Sequence, residues 1–307
     1  MKSLARLAPA AGIAALLTAV LGSWTRINGA GLTCPDWPLC NGHLLPSLGG
    51  GTLWEWLHRL LAFSVAPLVL ALIVVAWGQR RRSSFIAPTL GCIVALFLVQ
   101  VFLGAETVRL GNSPVSVVLH WGTAMAFIAA LAAMTVFAAA SDADEGRAVP
   151  RSSLAVAVLG LTALIAFATM CVGAYVSSSG AGLACLTIPG CAGNVVVFTT
   201  GQYVQMVHRI AAAATLICAA GALAAVWARP TSARVRAAAA AGSALVCLQV
   251  LLGLLNVALR LPPDLREAHA VNAALAFLAF FVATVFAALD AAPLGAARRL
   301  GESASKP

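Results

Sequence analysis

Residues 53–77 read LWEWLHRLLAFSVAPLVLALIVVAW, and the reading of this stretch decides the fold. From Leu60 to Trp77 it carries no charged side chain. As a helix it would rise about 38 Å at 1.5 Å per residue, enough to cross the hydrocarbon of a bilayer. Its first turns nevertheless hold Glu55, His58 and Arg59, groups that are costly in lipid and therefore rarely placed there without a task. The stretch predicts a membrane span with chemistry at one end.

Outward from it, seven further apolar stretches follow the same pattern, giving eight spans near 8–26, 53–77, 85–107, 115–139, 153–176, 201–227, 232–258 and 266–288. The whole chain of 307 residues is 61% hydrophobic and 9% charged, against about 25% charged in soluble domains. That excludes a water-soluble, disordered or fibrous protein and predicts an all-α polytopic membrane protein, with the lipid bilayer as its surroundings. The net charge of +9 is read as the basic excess of cytoplasmic loops, and nucleic acid is excluded as a partner. Thirteen of the 19 basic residues fall on one face, from Lys2 and Arg6 through Arg80–Arg82 to Lys306. Arg26, Arg59, Arg109, Arg209, Arg260 and Arg266 lie at or near the other. The asymmetry predicts both termini in the cytoplasm. Trp24, Trp37, Trp54, Trp56 and Trp121 then mark the outer boundary, and Trp77 and Trp227 the inner one. The first span has the basic start of a signal peptide, but its counterpart in mid-chain points to a retained span.

That counterpart belongs to an internal repeat. Gly29-Ala-Gly-Leu-Thr-Cys34 recurs as Gly180-Ala-Gly-Leu-Ala-Cys185, and Cys40 as Cys191, at an offset of 151. His58-Arg59 recurs as His208-Arg209, Gln100-x-x-x-Gly104 as Gln249-x-x-x-Gly253, and Pro114 and His120 as Pro263 and His269. The chain therefore divides into an N-terminal half (1–140), a linker (141–152) and a C-terminal half (153–307). Each half is a four-helix bundle, and the two are expected to be pseudo-symmetric about an axis along the membrane normal.

Four of the five histidines sit about five residues inside the outer ends of spans 2, 4, 6 and 8, at one depth and in two pairs, His58 with His120 and His208 with His269. Two neutral imidazoles on facing helices are the axial ligand set of a b-type heme. Zinc would need three or four ligands, and neither half supplies a third histidine at that depth. The repeat breaks at Glu55, one turn from His58, because the matching residue is Gln205. The break points to a reactive first half and a supporting second half. Arg59 and Arg209 are open to two readings, snorkelling to headgroups or contacts with heme propionates. Cys34 with Cys40 and Cys185 with Cys191 lie in loops on the oxidising side, where one disulfide per loop is expected. Each is either a staple or an electron-passing dithiol. Cys92, Cys171, Cys218 and Cys247 fall within spans as small apolar residues, and His43 has no counterpart and reads as a surface residue.

With these motifs assembled, the chain resembles the heme A synthases, which convert heme O to heme A for cytochrome oxidase. The resemblance runs from GAGLTCPDWPLCNG at 29–42 through Glu55-x-x-His58-Arg59, Gln100-x-x-x-Gly104 and His120 to His208-Arg209, Gln249-x-x-x-Gly253-x-x-Asn256-Val257 and His269. It implies heme O as substrate between His58 and His120, a heme b cofactor with its iron between His208 and His269, and an essential catalytic carboxylate at Glu55. It also implies disulfide-forming cysteine pairs in the outer loops and residence in the bacterial inner membrane. Heme O synthase and cytochrome oxidase assembly factors become the expected partners. The second loop departs from the pattern, since Cys185 to Cys191 lacks Pro-Asp-Trp-Pro.

Turning a ring methyl into a formyl takes two successive oxidations. Either His58 or His120 leaves the iron, or electrons leave through the heme and water attacks the oxidised methyl carbon, with Glu55 acting on the methyl as a base or by stabilising positive charge. Two other classes share the four histidines, a di-heme electron-transfer cytochrome b and a heme carrier or transporter. The first would hold permanent heme b at both sites; the second would return its porphyrin unmodified.

Overall fold

A computed structural model describes residues 1–140, 152–191 and 199–290. Eight long helices account for nearly all of them: α1 (Lys2–Ile27), α2 (Thr52–Gln79), α3 (Ile86–Arg109), α4 (Pro114–Ala140), α5 (Ser153–Ser178), α6 (Thr200–Trp227), α7 (Ala233–Ala258) and α8 (Pro263–Asp290). All eight are long and apolar enough to cross a membrane, and a helix is what lipid demands, since it pairs its own backbone groups. Their ends lie within a residue or two of the apolar stretches that predict them, except at the start of α1, six residues earlier, and of α8, three residues earlier. Residues 141–151 of the linker and the tail from 291, with Arg147, Arg151, Arg298, Arg299 and Lys306, lie outside the described residues.

The helices neighbour one another in a repeated order. In the first four, α1 packs on α2 and α4, α3 packs on α4, and α2 touches α3; in the second four, α5 packs on α6 and α8, α7 on α8, and α6 on α7. The two sets meet through α4 against α5 and α8, and through α1 against α8. Helix α4 is accordingly the most buried span. Its small residues permit that closeness, as at Gly122, where an added Cβ would lie 3.3 Å from Cys171 Sγ of α5. One core gathers Leu4, Val69, Leu72, Ile93, Met125, Leu131 and Met134. Another gathers Leu159, Val226, Val235, Val246 and Phe280. Large apolar side chains such as Phe63, Leu70, Val74, Phe102 and Ile217 stay exposed, the face a bilayer would cover.

Connections fix the helix ends. Ser152 and Ser232 cap α5 and α7, and Thr199 with Gln202 forms a capping box on α6. The short links α3–α4 and α7–α8 both turn through two left-handed residues, Gly111-Asn112 in one and Arg260-Leu261 in the other. Gly and Asn suit that conformation, whereas Arg and Leu adopt it at a cost. The longer links α1–α2 and α5–α6 carry the cysteines, so both cysteine loops lie at the same end of the spans, hereafter the loop end.

Candidate functional site

Helices α2, α4, α6 and α8 all start at the loop end, and His58, His120 and His269 sit six residues and His208 eight residues after the first residue of their helices. At 1.5 Å per residue this is about 9–12 Å below the helix starts, slightly deeper than the spacing of apolar residues predicts. The structure brings the four together as two pairs. The rings of His208 and His269 stand 6.4 Å apart, centre to centre, at 73°. The other two, His58 on α2 and His120 on α4, make no such ring contact with each other among the described residues.

Each imidazole rests against a glycine of the preceding helix. A Cβ on Gly22 would lie 2.6 Å from His58 Cε1, and one on Gly173 2.9 Å from His208 Cε1. On Gly104 and Gly253 it would lie 3.2 Å from Cε1 of His120 and His269. Gly22 and Gly173 escape a motif reading, yet they obey the offset of 151 that relates the loops, and that was their signal. His58 Nδ1 is 3.0 Å from the Thr18 carbonyl, an arrangement that leaves Nε2 as the ligand atom. Among the described residues the buried Nδ1 atoms of His120 and His269 have no hydrogen-bond partner.

This geometry fits a porphyrin iron. Imidazole–metal bonds of about 2 Å on opposite sides of one ion place the ring centres about 6 Å apart, matching His208 and His269. Among the described residues no three of His, Cys, Asp and Glu converge. Either pair by itself therefore offers a metal two imidazoles, the number a macrocycle-bound iron takes from its protein.

The residues around the histidines divide into those the two sets share and those they do not. Cys34 is bonded to Cys40, and Cys185 to Cys191. Glu55, 3% exposed, holds the first loop. Its Oε2 accepts the Cys34 N–H and the Thr33 hydroxyl, each at 2.9 Å, and its Oε1 accepts Arg59 Nη2 at 2.7 Å. Gln205 does the same for the second loop, accepting the Cys185 N–H at 2.5 Å and donating to the Gly182 carbonyl at 2.8 Å. Arg59 donates to the carbonyls of Cys34, Asp36 and Leu39; Arg209 donates to those of Cys185, Thr187, Pro189 and Gly190. Both guanidinium groups are spent on loop carbonyls, a task neither the snorkelling nor the propionate reading foresees. Asp36 accepts the Asn41 and Gly42 amides, and the Gly42 bond first, then the Asn41 bond, hold its carboxyl below the ordinary value. His43 is exposed, its backbone paired with Cys40.

Other neighbours differ. Gln100 Nε2 lies 3.5 Å from His120 Nε2. Gln249, its counterpart, turns away and donates to the His269 carbonyl at 3.0 Å while its Oε1 accepts Asn272 at 2.7 Å. At the seam between the helix sets, Glu267 is buried and accepts the Ser23 hydroxyl at 2.7 Å. Arg26 and Arg266 both reach Ser177 Oγ, at 3.1 and 3.5 Å. Sequence reading counts Arg26 and Arg266 only as outer charges and passes over Glu267. The clue was again a broken repeat, since Arg26 matches Ser177 at the offset of 151.

Comparison with known proteins bears on the same elements. The family model described as COX15-CtaA, cytochrome oxidase assembly protein, matches residues 50–281, from the start of α2 through most of α8. A heme A synthase of Bacillus licheniformis is 31% identical over 208 residues, covering 65% of this chain and 68% of that one. A heme A synthase of Shouchella clausii is 31% identical over 218 residues, covering 69% and 72%. On this match, which takes in all four paired histidines and Glu55, the chain belongs to the COX15-CtaA family of cytochrome oxidase assembly proteins.

Proposed function

We propose that this protein is a heme A synthase, a membrane oxidoreductase that carries a ring methyl of heme O to the formyl of heme A. Its two four-helix halves are pseudo-symmetric and divide the labour. His58 and His120 take heme O as substrate. His208 and His269 hold a resident heme b, which supplies one-electron redox chemistry when bound. Both termini lie in the cytoplasm, which puts the loop end and both sites toward the outer face of a bacterial inner membrane. A heme O synthase then stands upstream, and cytochrome oxidase assembly factors downstream, as partners.

The observation that carries this reading is the pair Glu55 and Gln205. Both anchor the first cysteine of their loop through the same backbone N–H. An amide suffices for anchoring in the second half, where Arg209 is held by carbonyls alone; in the first half the negative charge pairs with Arg59 at 2.7 Å and stands one turn from His58. A carboxylate beside only one of two histidine pairs supports chemistry at that pair alone, with Glu55 taking the proton, or stabilising the positive charge, that develops as the methyl carbon is oxidised. An electron-transfer cytochrome or a heme carrier needs no such difference. Arg59 and Arg209 hold the loops that roof the two sites, and the disulfides staple those loops.

Co-expression with a heme O-forming enzyme, followed by extraction and chromatography of the hemes, tests the reading. A formyl-bearing porphyrin that depends on this chain is expected. Permanent heme b at both sites, or heme O returned unchanged, refutes it.

A further inference from the structure

The polar seam between the helix sets contains a cation with donors to spare. Arg26, in the last turn of α1, makes one hydrogen bond, to Ser177 Oγ of α5 at 3.1 Å. Glu267 makes no salt bridge to it among the described residues; its Oε2 takes the Ser23 hydroxyl, and its buried Oε1 has no partner among them. Arg59 and Arg209, by contrast, have their guanidinium groups tied to loop carbonyls. Arg26 opens into a cavity of about 70 Å³ that is also lined by Gln100, Asn112, His120 and Trp121. It thus shares a cavity with one histidine of the first pair, on the side nearer the loop end, where Asn112 closes the α3–α4 turn. In the second half the matching residue is Ser177, a hydroxyl that Arg266 also reaches, at 3.5 Å.

A planar guanidinium with free donors matches a carboxylate, which it can bind through two parallel bonds. A cavity of this size admits a carboxylate but not a macrocycle. We propose that Arg26 recognises a propionate carboxylate of the porphyrin bound at His58 and His120, steadied by Ser177 and Glu267 of the second half. The proposal rests on the heme O reading above and deepens it. Arg26 is a substrate-binding residue of the first site alone, and its two supports make the seam part of that site.

Purified protein carrying its second-half heme is titrated with ferric heme O and with heme O dimethyl ester, in which both carboxylates are blocked, and binding is followed by the Soret band. The native protein should prefer the free acid by about 10-fold or more, the range of one charge-assisted bond. Arg26→Gln should lose that preference while keeping its second-half heme; Arg26→Lys should retain part of it, and Ser177→Ala should reduce it a few-fold. If the native protein binds both porphyrins equally, or if Arg26→Gln discriminates as the native protein does, Arg26 is not the recognition residue and the heme O reading stands. If neither porphyrin binds the native first half, the heme O reading fails and takes the proposal with it. The native comparison alone can refute the assignment, even where Arg26→Gln does not fold.

Discussion

Glu55→Gln separates anchoring from chemistry, because the second half already shows what a glutamine does at that place. In the variant the amide oxygen can still accept the Cys34 N–H and the Thr33 hydroxyl, as Gln205 accepts the Cys185 N–H, while the new Nε2 takes the place of Oε1 beside Arg59. The loss falls on Arg59. Breaking a buried ion pair commonly costs about 3–5 kcal/mol, because it strands a buried charge. Arg59, however, keeps its bonds to the carbonyls of Cys34, Asp36 and Leu39, and Arg209 is held by carbonyls with no carboxylate at all. The remaining cost is that of one charge-assisted bond, about 1.5–3 kcal/mol, which a protein of this size survives. Catalysis should instead fall by about 10²–10⁴-fold, the usual contribution of a general base. Co-expression with a heme O-forming enzyme and chromatography of extracted hemes should then show heme O or an alcohol intermediate in place of heme A, in protein that keeps its heme spectrum. Normal heme A from the variant would refute the catalytic role. Colourless, aggregated variant would refute the argument that an amide can do the anchoring.

Gly173→Ala should drive a methyl into His208, at an overpacking cost of about 1–3 kcal/mol, and lower heme retention in the pyridine hemochrome assay; Gly12→Ala, whose Cβ would meet Leu131 at an ordinary 3.7 Å, should not. Because the carboxyl of Asp36 is held below its ordinary value, its hold on the loop is fully present above about pH 4 and is lost as pH falls through the lower, folded value. Hydrogen exchange at the Asn41 and Gly42 amides should therefore rise at acid pH in the native protein and be uniformly faster in Asp36→Asn. Arg260→Gly should raise thermal stability by about 1 kcal/mol, since it relieves an exposed left-handed residue, and leave heme content unchanged; an unchanged or lower melting temperature counts against strain there. Thr123 occupies the place of Asn272, and Thr123→Asn should draw Gln100 away from His120 as Asn272 draws Gln249. Porphyrin should then persist in the first half through purification, and an unaltered heme-to-protein ratio tells against that switch.

Much of this protein was legible in its sequence because lipid enforces simple rules. Each apolar run had to become one helix, so all eight were readable, and the largest shift, the earlier start of α1 at Lys2, falls where polar residues precede the apolar run. The paired histidines were readable from the repeat, and so were the cysteine pairs. The tasks of Arg59 and Arg209 were not, because they depend on how a loop folds back over a helix end, and the loop carbonyls that take up their charge leave no mark in the residue pattern. Gly22 and Gly173 were hidden for a similar reason: a glycine in a span is unremarkable until the neighbouring imidazole is seen resting on it. The seam was invisible because Ser23, Ser177 and Glu267 meet only when α1, α5 and α8 do.

An internal repeat gives this protein its own control experiment. Where the two halves agree, as in the glycine under each histidine, the arginine under each loop and the disulfide within it, the shared need is to hold a flat group and roof it. Among the places where they disagree, three bear on the first pair of histidines. Glu55 is charged where Gln205 is not; Arg26 is a cation where Ser177 is a hydroxyl; Gln100 approaches His120 where Gln249 is locked away by Asn272. Those three differences, with the second pair left locked and its rings 6.4 Å apart, support the proposed division of duties, one macrocycle held permanently and the other admitted, altered and released.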